Sequence, residues 1–86
     1  MHEMSVALEV CRIAEEQVGS AAAGRVVAVG LDVGDDAGVE LSSLEFCLES
    51  LLATPPFRGA RPRITRLPGD VLRVSYVDVD DGRPND

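Results

Sequence analysis

The spacing of apolar residues switches between helix and strand period along this chain, and this alternation is the strongest constraint on its fold. Two segments repeat apolar residues every three to four positions, as amphipathic helices do, and three segments repeat them at every second position, as strands do. The order helix, strand, helix, strand, strand predicts an α+β domain with two helices packed on a three-stranded mixed sheet. At 86 residues, the chain has room for one such core. We assign this domain to residues 1–80 and a flexible, polar C-terminal tail to residues 81–86.

Both predicted helices have recognisable ends. The first follows Ser5, whose hydroxyl is predicted to cap the free N–H groups, and it ends near Gly19. The second is predicted to begin at Ser42, which has capping-box spacing with Glu45 three residues later. It stops at residues 54–56 (Thr-Pro-Pro), because proline cannot donate a hydrogen bond and disfavours helix in the preceding residue.

The first strand is predicted over residues 25–33, where β-branched residues alternate. Gly30 leaves one face of this strand thin, so the opposite face is expected to pack on the helices. The last third is predicted to be a β-hairpin, with strands at residues 61–67 and 71–79. A three-residue loop between them would pair Ile64 with Val74 and keep the apolar residues on one face.

Charge excludes several classes of partner. Fifteen Asp and Glu residues oppose eight basic residues, all of them Arg, for a net charge of −7. Binding to nucleic acid or to an anionic membrane surface needs a basic patch, so neither is expected. The apolar runs are too short to cross a bilayer, and no basic start precedes an apolar stretch. We therefore expect a cytoplasmic protein.

The side chains that could act as nucleophiles or metal ligands show no pattern typical of a catalytic site. Cys11 and Cys47 share no CxxC spacing, and each lies on an apolar helical stripe, which favours core packing over metal ligation. The chain has one His and no Lys, and it lacks a phosphate-binding glycine loop. We therefore do not expect an enzyme.

The N-terminal segment offers a different chemistry. The His2 imidazole, the backbone nitrogens of His2 and Glu3 and the Met1 amine can chelate one metal ion through small rings. Deprotonated amides favour square-planar nitrogen coordination, which suits Ni(II) or Cu(II), and the sequence does not choose between these metals. A terminal histidine is also commonly a solvated residue without a ligand, and Glu3 is equally typical of a favourable charge near a helix N-terminus.

Ring geometry requires a further donor in such a chelate. The His2 amide nitrogen forms rings with three other donors, but a square has only two corners adjacent to it. The corner opposite the His2 nitrogen must therefore be filled by water or by a carboxylate that folds back. Glu40, beside the start of the second helix, is the candidate.

The opening MHEMS lies directly before the first amphipathic helix, and the segment LEFCLE lies in the second. With these segments the chain resembles the HypA/HybF family, the nickel metallochaperones of hydrogenase maturation, whose members open in a similar way. In the second helix, LEFCLE occupies the place of the family's Leu-x-Phe-x-Phe-Glu pattern. The matching segments in chain order are residues 1–5, 31–34, 38–39, 44–49, 54, 59–60, 64 and 69–79.

This resemblance implies transient binding of Ni(II), with imidazole and amide from His2 and the amide from Glu3. Glu40 falls where the family has an acidic ligand. The implied partners are a hydrogenase large subunit or a nickel-delivering GTPase, and a homodimer is compatible with so small a core. The family's zinc module, with paired CxxC motifs between the last two strands, has no counterpart in this sequence, so no zinc is expected. The alternative is a non-metallated interaction module that docks to the same partners.

Overall fold

The computed structural model describes residues 2–80, so Met1 and the predicted tail at 81–86 lie outside the described residues. The element order confirms the predicted α+β fold with two helices and a three-stranded mixed sheet. A single 3-10 turn precedes the first strand. The elements are α1 (Glu3–Val18), β1 (Val26–Gly34), α2 (Leu41–Leu52), β2 (Arg61–Leu67) and β3 (Leu72–Val79).

The sheet is built around its first strand. The strand order is β2-β1-β3, with β2 parallel and β3 antiparallel to β1. The predicted hairpin between the last two strands is therefore wrong, because they lie on opposite sides of β1. Leu31 is opposite Ile64 on one side and opposite Val74 on the other. Ile64 and Val74 do share a face, but period-two alternation determines only the face of a strand and not its neighbour.

The chain crosses the end of β1 to connect β2 with β3. The amide of Gly34 donates to Val71 O at 2.6 Å, and the amide of Asp36 donates to Gly69 O at 2.8 Å. A Cβ on Gly34 would lie 2.1 Å from Gly69 O, closer than van der Waals contact allows. Glycine at position 34 therefore lets the connecting loop lie against the strand end.

Both helices begin two or more residues earlier than predicted from their serines. The N-cap of α1 is His2, so Ser5 lies inside the helix. The N-cap of α2 is Glu40, whose Oε2 accepts from the amide of Ser43 at 2.5 Å. The predicted capping box at Ser42 is therefore wrong. His2 and Glu40 are the last residues with extended backbone, with ψ of 113° and 115°, and the helices begin where the extended chain ends.

Helices α1 and α2 pack with one face of the sheet in a single apolar core. The buried residues of the helices are smaller in α1, with Ala7 and Ala14, than in α2, where three leucines are inaccessible to solvent. The core residues at the centre of this contact are Ala7, Val10, Ala14, Val29, Leu31, Val33, Leu44, Leu48 and Leu52. As predicted from Gly30, only one face of β1 carries this packing.

Candidate metal centre

The N-termini of α1 and α2 meet at one point of the surface. The carboxylate of Glu3, in the first turn of α1, accepts a hydrogen bond through Oε2 from the backbone amide of Glu40 at 3.0 Å. Glu40 in turn caps α2, so one chain of contacts runs from the start of α1 into the first turn of α2. Two of the predicted site residues are therefore in direct contact.

His2 stands at the head of this arrangement. Its carbonyl accepts from the amide of Val6 at 3.2 Å, while its side chain makes no capping hydrogen bond. The residue is exposed, so its imidazole can reach a solvent-borne metal ion. The first N–H groups of a helix have no carbonyl one turn earlier to donate to. The amides of His2 and Glu3 therefore make no hydrogen bond within α1.

Hydrogen bonds from backbone amides lower the pKa of both carboxylates. The Glu40 amide holds the pKa of Glu3 below its ordinary value, and the Ser43 amide does the same for the pKa of Glu40. Because both pKa values are lowered in the folded state, the stabilisation that the groups give is present above their ordinary pKa. It is lost as the pH falls through the lowered values. At neutral pH the site carries two carboxylate charges.

Side chains alone do not form a metal centre here. Across residues 2–80, no three His, Cys, Asp or Glu side chains come together in a way that could hold a metal ion. The structure brings His2, Glu3 and Glu40 to the same pair of helix ends, and Met1 lies outside the described residues. A metal bound at this place therefore needs backbone nitrogens among its ligands.

The contact between Glu3 and the Glu40 amide was not foreseen from the sequence. The two residues are 37 positions apart, and no local pattern links the start of one helix to the start of the other. The capping role of Glu40 was missed as well, because Glu is not among the preferred N-cap residues, whereas the nearby Ser42 is of a preferred type.

The two cysteines pack where the helical stripes place them. Cys11 and Cys47 are both free, half-buried and in contact with the apolar core. Burial raises the pKa of the Cys11 thiol to about 11. Since metals and electrophiles react with the thiolate, Cys11 is a poor ligand at neutral pH.

Comparison with known proteins identifies the family. A family model described as "Hydrogenase/urease nickel incorporation, metallochaperone, hypA" matches residues 1–72. The chain belongs to the HypA family. The resemblance noted in the sequence is thereby confirmed, and a metallochaperone is an accessory protein, in agreement with the expectation that this chain is not an enzyme.

Sequence identity to curated relatives supports the same family assignment. The hydrogenase maturation factors HypA of Azotobacter chroococcum mcd 1 and Geobacter metallireducens are each 44% identical to this chain over 69 residues, which is 80% of its length. HypA of Azotobacter vinelandii is 41% identical over a stretch of the same length. The aligned stretch spans about three fifths of these relatives, 61%, 60% and 61% respectively. Within residues 2–80, no helix is long and apolar enough to cross a membrane.

Proposed function

We propose that this chain binds nickel at the start of α1 and hands it on during assembly of a hydrogenase metal centre. The four ligands in the plane are the His2 amide, two of the three donors that form rings with it (the His2 imidazole, the Met1 amine and the Glu3 amide), and a carboxylate oxygen of Glu40 opposite the His2 amide. The observation that carries this proposal is the 3.0 Å hydrogen bond between the Glu3 carboxylate and the Glu40 amide. It holds the first turn of α1 beside Glu40, the residue proposed to fill the remaining corner of the chelate.

The helix start makes the backbone nitrogens suitable donors. Binding through an amide nitrogen requires loss of its proton, and in a helix interior that would break a hydrogen bond of the helix. The amides of His2 and Glu3 precede those bonds, so their deprotonation leaves α1 intact. The partial positive charge at two converging helix N-termini also favours the anionic form of these nitrogens.

Glu40 can bind metal while it caps α2. One of its oxygens accepts from Ser43, but an ionised carboxylate offers about four acceptor positions on two oxygens. The carboxylate is ionised at neutral pH as any exposed Glu is, and its hydrogen bonds to the Ser43 amide lower its pKa further. It therefore keeps acceptor positions for a metal ion while it caps α2.

Exposure of the site suits release as well as capture. His2 and Glu40 are exposed, so a partner can approach the bound ion directly. Thiolate ligands of a hydrogenase large subunit, or the nickel site of a delivering GTPase, would take the ion by ligand exchange. The relatives named above are hydrogenase maturation factors, and this client class comes from them.

A calorimetric nickel titration tests the proposal. The protein must carry its native terminus, because any added residue removes the Met1 amine from the chelate. We expect one tight equivalent with a planar visible absorption spectrum, and loss of that equivalent in His2→Ala. Gln17→Ala, an exposed change elsewhere on α1, is the matched control and should bind as the wild type does. Unchanged nickel affinity in His2→Ala would overturn the proposal.

Proton release gives an independent signature. Each amide proton displaced by nickel lowers the apparent affinity by about tenfold per unit fall in pH. Titrations between pH 6 and pH 8 should therefore show affinity falling steeply toward the acid side. A parallel Cu(II) titration is needed, because the same nitrogen set binds copper more tightly in general. A flat pH dependence would exclude amide coordination.

A docking module without metal is the second candidate. Three large apolar side chains stand exposed on the helices: Met4 at 44%, Leu8 at 54% and Phe46 at 69%. Met4 and Leu8 are four residues apart on α1, so their exposed side chains share one face of that helix, and contiguous apolar surface of this kind is typical of contact sites. Co-purification with a hydrogenase subunit after replacement of His2, together with absent nickel binding by the wild type, would favour this function over metal delivery.

A further inference from the structure

The outer edge of β3 is open for strand pairing. Among residues 2–80, β3 pairs with β1 on one side and with no strand on the other. Two hydrogen bonds, one at each end of β3, show which of its backbone groups face β1. Val71 O accepts from Gly34 N at 2.6 Å, and Asp80 N donates to Arg25 O at 2.8 Å. Backbone groups of an antiparallel strand point alternately to its two sides. With the β-bulge at Ser75 included, the residues whose N–H and C=O point outward are Leu72, Val74, Val77 and Val79.

This row of outward groups is self-complementary. When two copies of β3 are placed antiparallel about an axis between residues 75 and 76, Leu72 of one lies opposite Val79 of the other. Val74 then lies opposite Val77, so every outward residue meets an outward residue. The bulge lengthens the step from Val74 to Val77 to three residues, and in this register the bulges of the two copies face each other. No hydrogen-bonding position is left out of register.

Charge and burial follow the same symmetry. Arg73 of one copy, whose Nε also donates to Asp32 of its own chain, lies opposite Asp78 of the other, and both residues are exposed on the outer face of the sheet. Half-buried and exposed residues along β3 alternate in a pattern that reads identically in both directions. Opposite charges directly across an antiparallel pair stabilise it, whereas like charges there oppose it. The register that pairs the backbone therefore also pairs the charges.

An apolar groove lies beside this edge on the helix side. It has a volume of about 290 Å³ and separates α1 from β3. The valines of a second β3 strand, at positions 77 and 79, would face into it and cover its apolar wall. The apolar residues of that wall are Val6, Val10, Ile13, Leu31, Leu72 and Val74.

The other edge of the sheet is built differently. Strand β2 contains Pro62, which has no N–H to donate, and three arginines at positions 61, 63 and 66. Proline and repeated like charge are features that prevent an edge strand from pairing with another chain. Self-association through the sheet is thus directed to β3.

We propose that a second copy of this chain pairs with β3 in antiparallel register about the Ser75–Tyr76 step. The two three-stranded sheets then form one continuous sheet of six strands, in an isologous dimer with two-fold symmetry. Hydrogen bonds join Leu72 to Val79 and Val74 to Val77 across the axis, and two Arg73–Asp78 pairs flank them.

Sedimentation velocity and amide hydrogen exchange, measured over a range of protein concentrations, test this dimer. We expect a concentration-dependent dimer, and protection of the amides of Leu72, Val74, Val77 and Val79 that rises with its population. The amides of Arg73 and Asp78 face β1, so their protection should not depend on concentration. The proposal would be overturned if the protein were a monomer at every concentration. It would also be overturned if the concentration-dependent protection were confined to another surface.

Asp78→Arg supplies the decisive variant. It places two arginines opposite each other at both ends of the interface, so we expect the dimer dissociation constant to rise about tenfold. Glu45→Arg makes the same charge change at an exposed position of α2, the helix that packs against β2, and should leave the dimer unchanged. Circular dichroism checks that both variants are folded. An unchanged dissociation constant in folded Asp78→Arg would show that the interface lies elsewhere.

Discussion

The two faces of β1 are closed by different means. On the helix side, Val29, Leu31 and Val33 are excluded from solvent by apolar packing. On the outer side, Gly30 lies under the ring of Tyr76, and a Cβ at this glycine would meet that ring at 2.1 Å. Also on the outer side, the carboxylate of Asp32 accepts from Arg73 Nε at 2.9 Å, and Gly34 lies under the loop that crosses the strand end.

This difference shows that burial alone does not predict how strongly a substitution at each position of β1 destabilises the fold. The helix side depends on the volume of its side chains, so it should respond to truncation. The outer side depends on the absence of side chains at two glycines, so it should respond to addition. The expected loss in the free energy of unfolding then depends on whether a substitution affects backbone, a core side chain or an exposed side chain.

Gly34→Ala is expected to have the largest effect. Its new Cβ would lie 2.1 Å from Gly69 O and 2.7 Å from Val71 N, and both belong to backbone that cannot rotate away. We expect a loss of about 4 kcal/mol or more in the free energy of unfolding, most of the stability of a small domain. Urea denaturation measures it. Gly38→Ala, where φ is 75° but the space is open, separates the conformational cost, about 1 kcal/mol, from the collision.

Leu31→Ala should rank second. Leu31 is inaccessible to solvent at the centre of the core, and its truncation leaves a cavity under both helices. We expect about 3 kcal/mol of destabilisation, measured by thermal and urea unfolding. Leu8→Ala removes the same atoms from a side chain that is 54% exposed and should change stability by less than about 0.5 kcal/mol. Equal effects at the two leucines would contradict the described core.

Gly30→Ala should cost less than either. The three atoms nearest to its Cβ all belong to the ring of Tyr76, which is 45% exposed and can move outward. We expect about 1–2 kcal/mol, a common cost of overpacking. In the double variant with Tyr76→Ala the collision is removed, so the two changes should cost less together than the sum of their separate effects. Strict additivity would mean that the ring does not lie over Gly30.

Asp32→Asn should have the smallest effect of the four. It removes the charge of the pair with Arg73 but keeps an oxygen that can accept the same hydrogen bond. Because Arg73 is largely exposed, we expect about 0.5 kcal/mol. The loss should be greatest at low salt and should diminish as salt screens the wild-type pair. A loss of several kcal/mol would place this ion pair among the main determinants of the fold.

The sequence was sufficient for the elements and their faces, and insufficient for their neighbours. Apolar periodicity located both helices and all three strands to within a few residues, and it placed Ile64 and Val74 on one face. It could not show that Leu31 lies between them, because two strands that flank a third have the same alternation as two that pair directly. The short loop after β2 favoured the hairpin, and its path across Gly34 has no local signal.

The residues of the candidate site were proposed from the sequence, whereas the contacts among them were not. His2, Glu3 and Glu40 were proposed from chelate chemistry and family likeness, and the structure places them at adjoining helix ends. The hydrogen bond that joins those ends depends on the packing of α1 against α2, which no sequence pattern near residue 3 or residue 40 describes. The N-caps were predicted wrongly for a different reason, because serines, which are preferred N-cap residues, lie close to both helix starts.

The central position of β1 also has a consequence for the order of folding. The middle strand is the first to be synthesised, and each of its partners comes from more than thirty residues further along the chain, as the pairs Ala28–Arg61 and Val26–Val79 show. Strands β2 and β3 follow each other in sequence but do not pair, so no local hairpin is available to nucleate the sheet. We therefore expect slow, cooperative folding limited by closure of long loops, with the sheet completed only after β3 has left the ribosome.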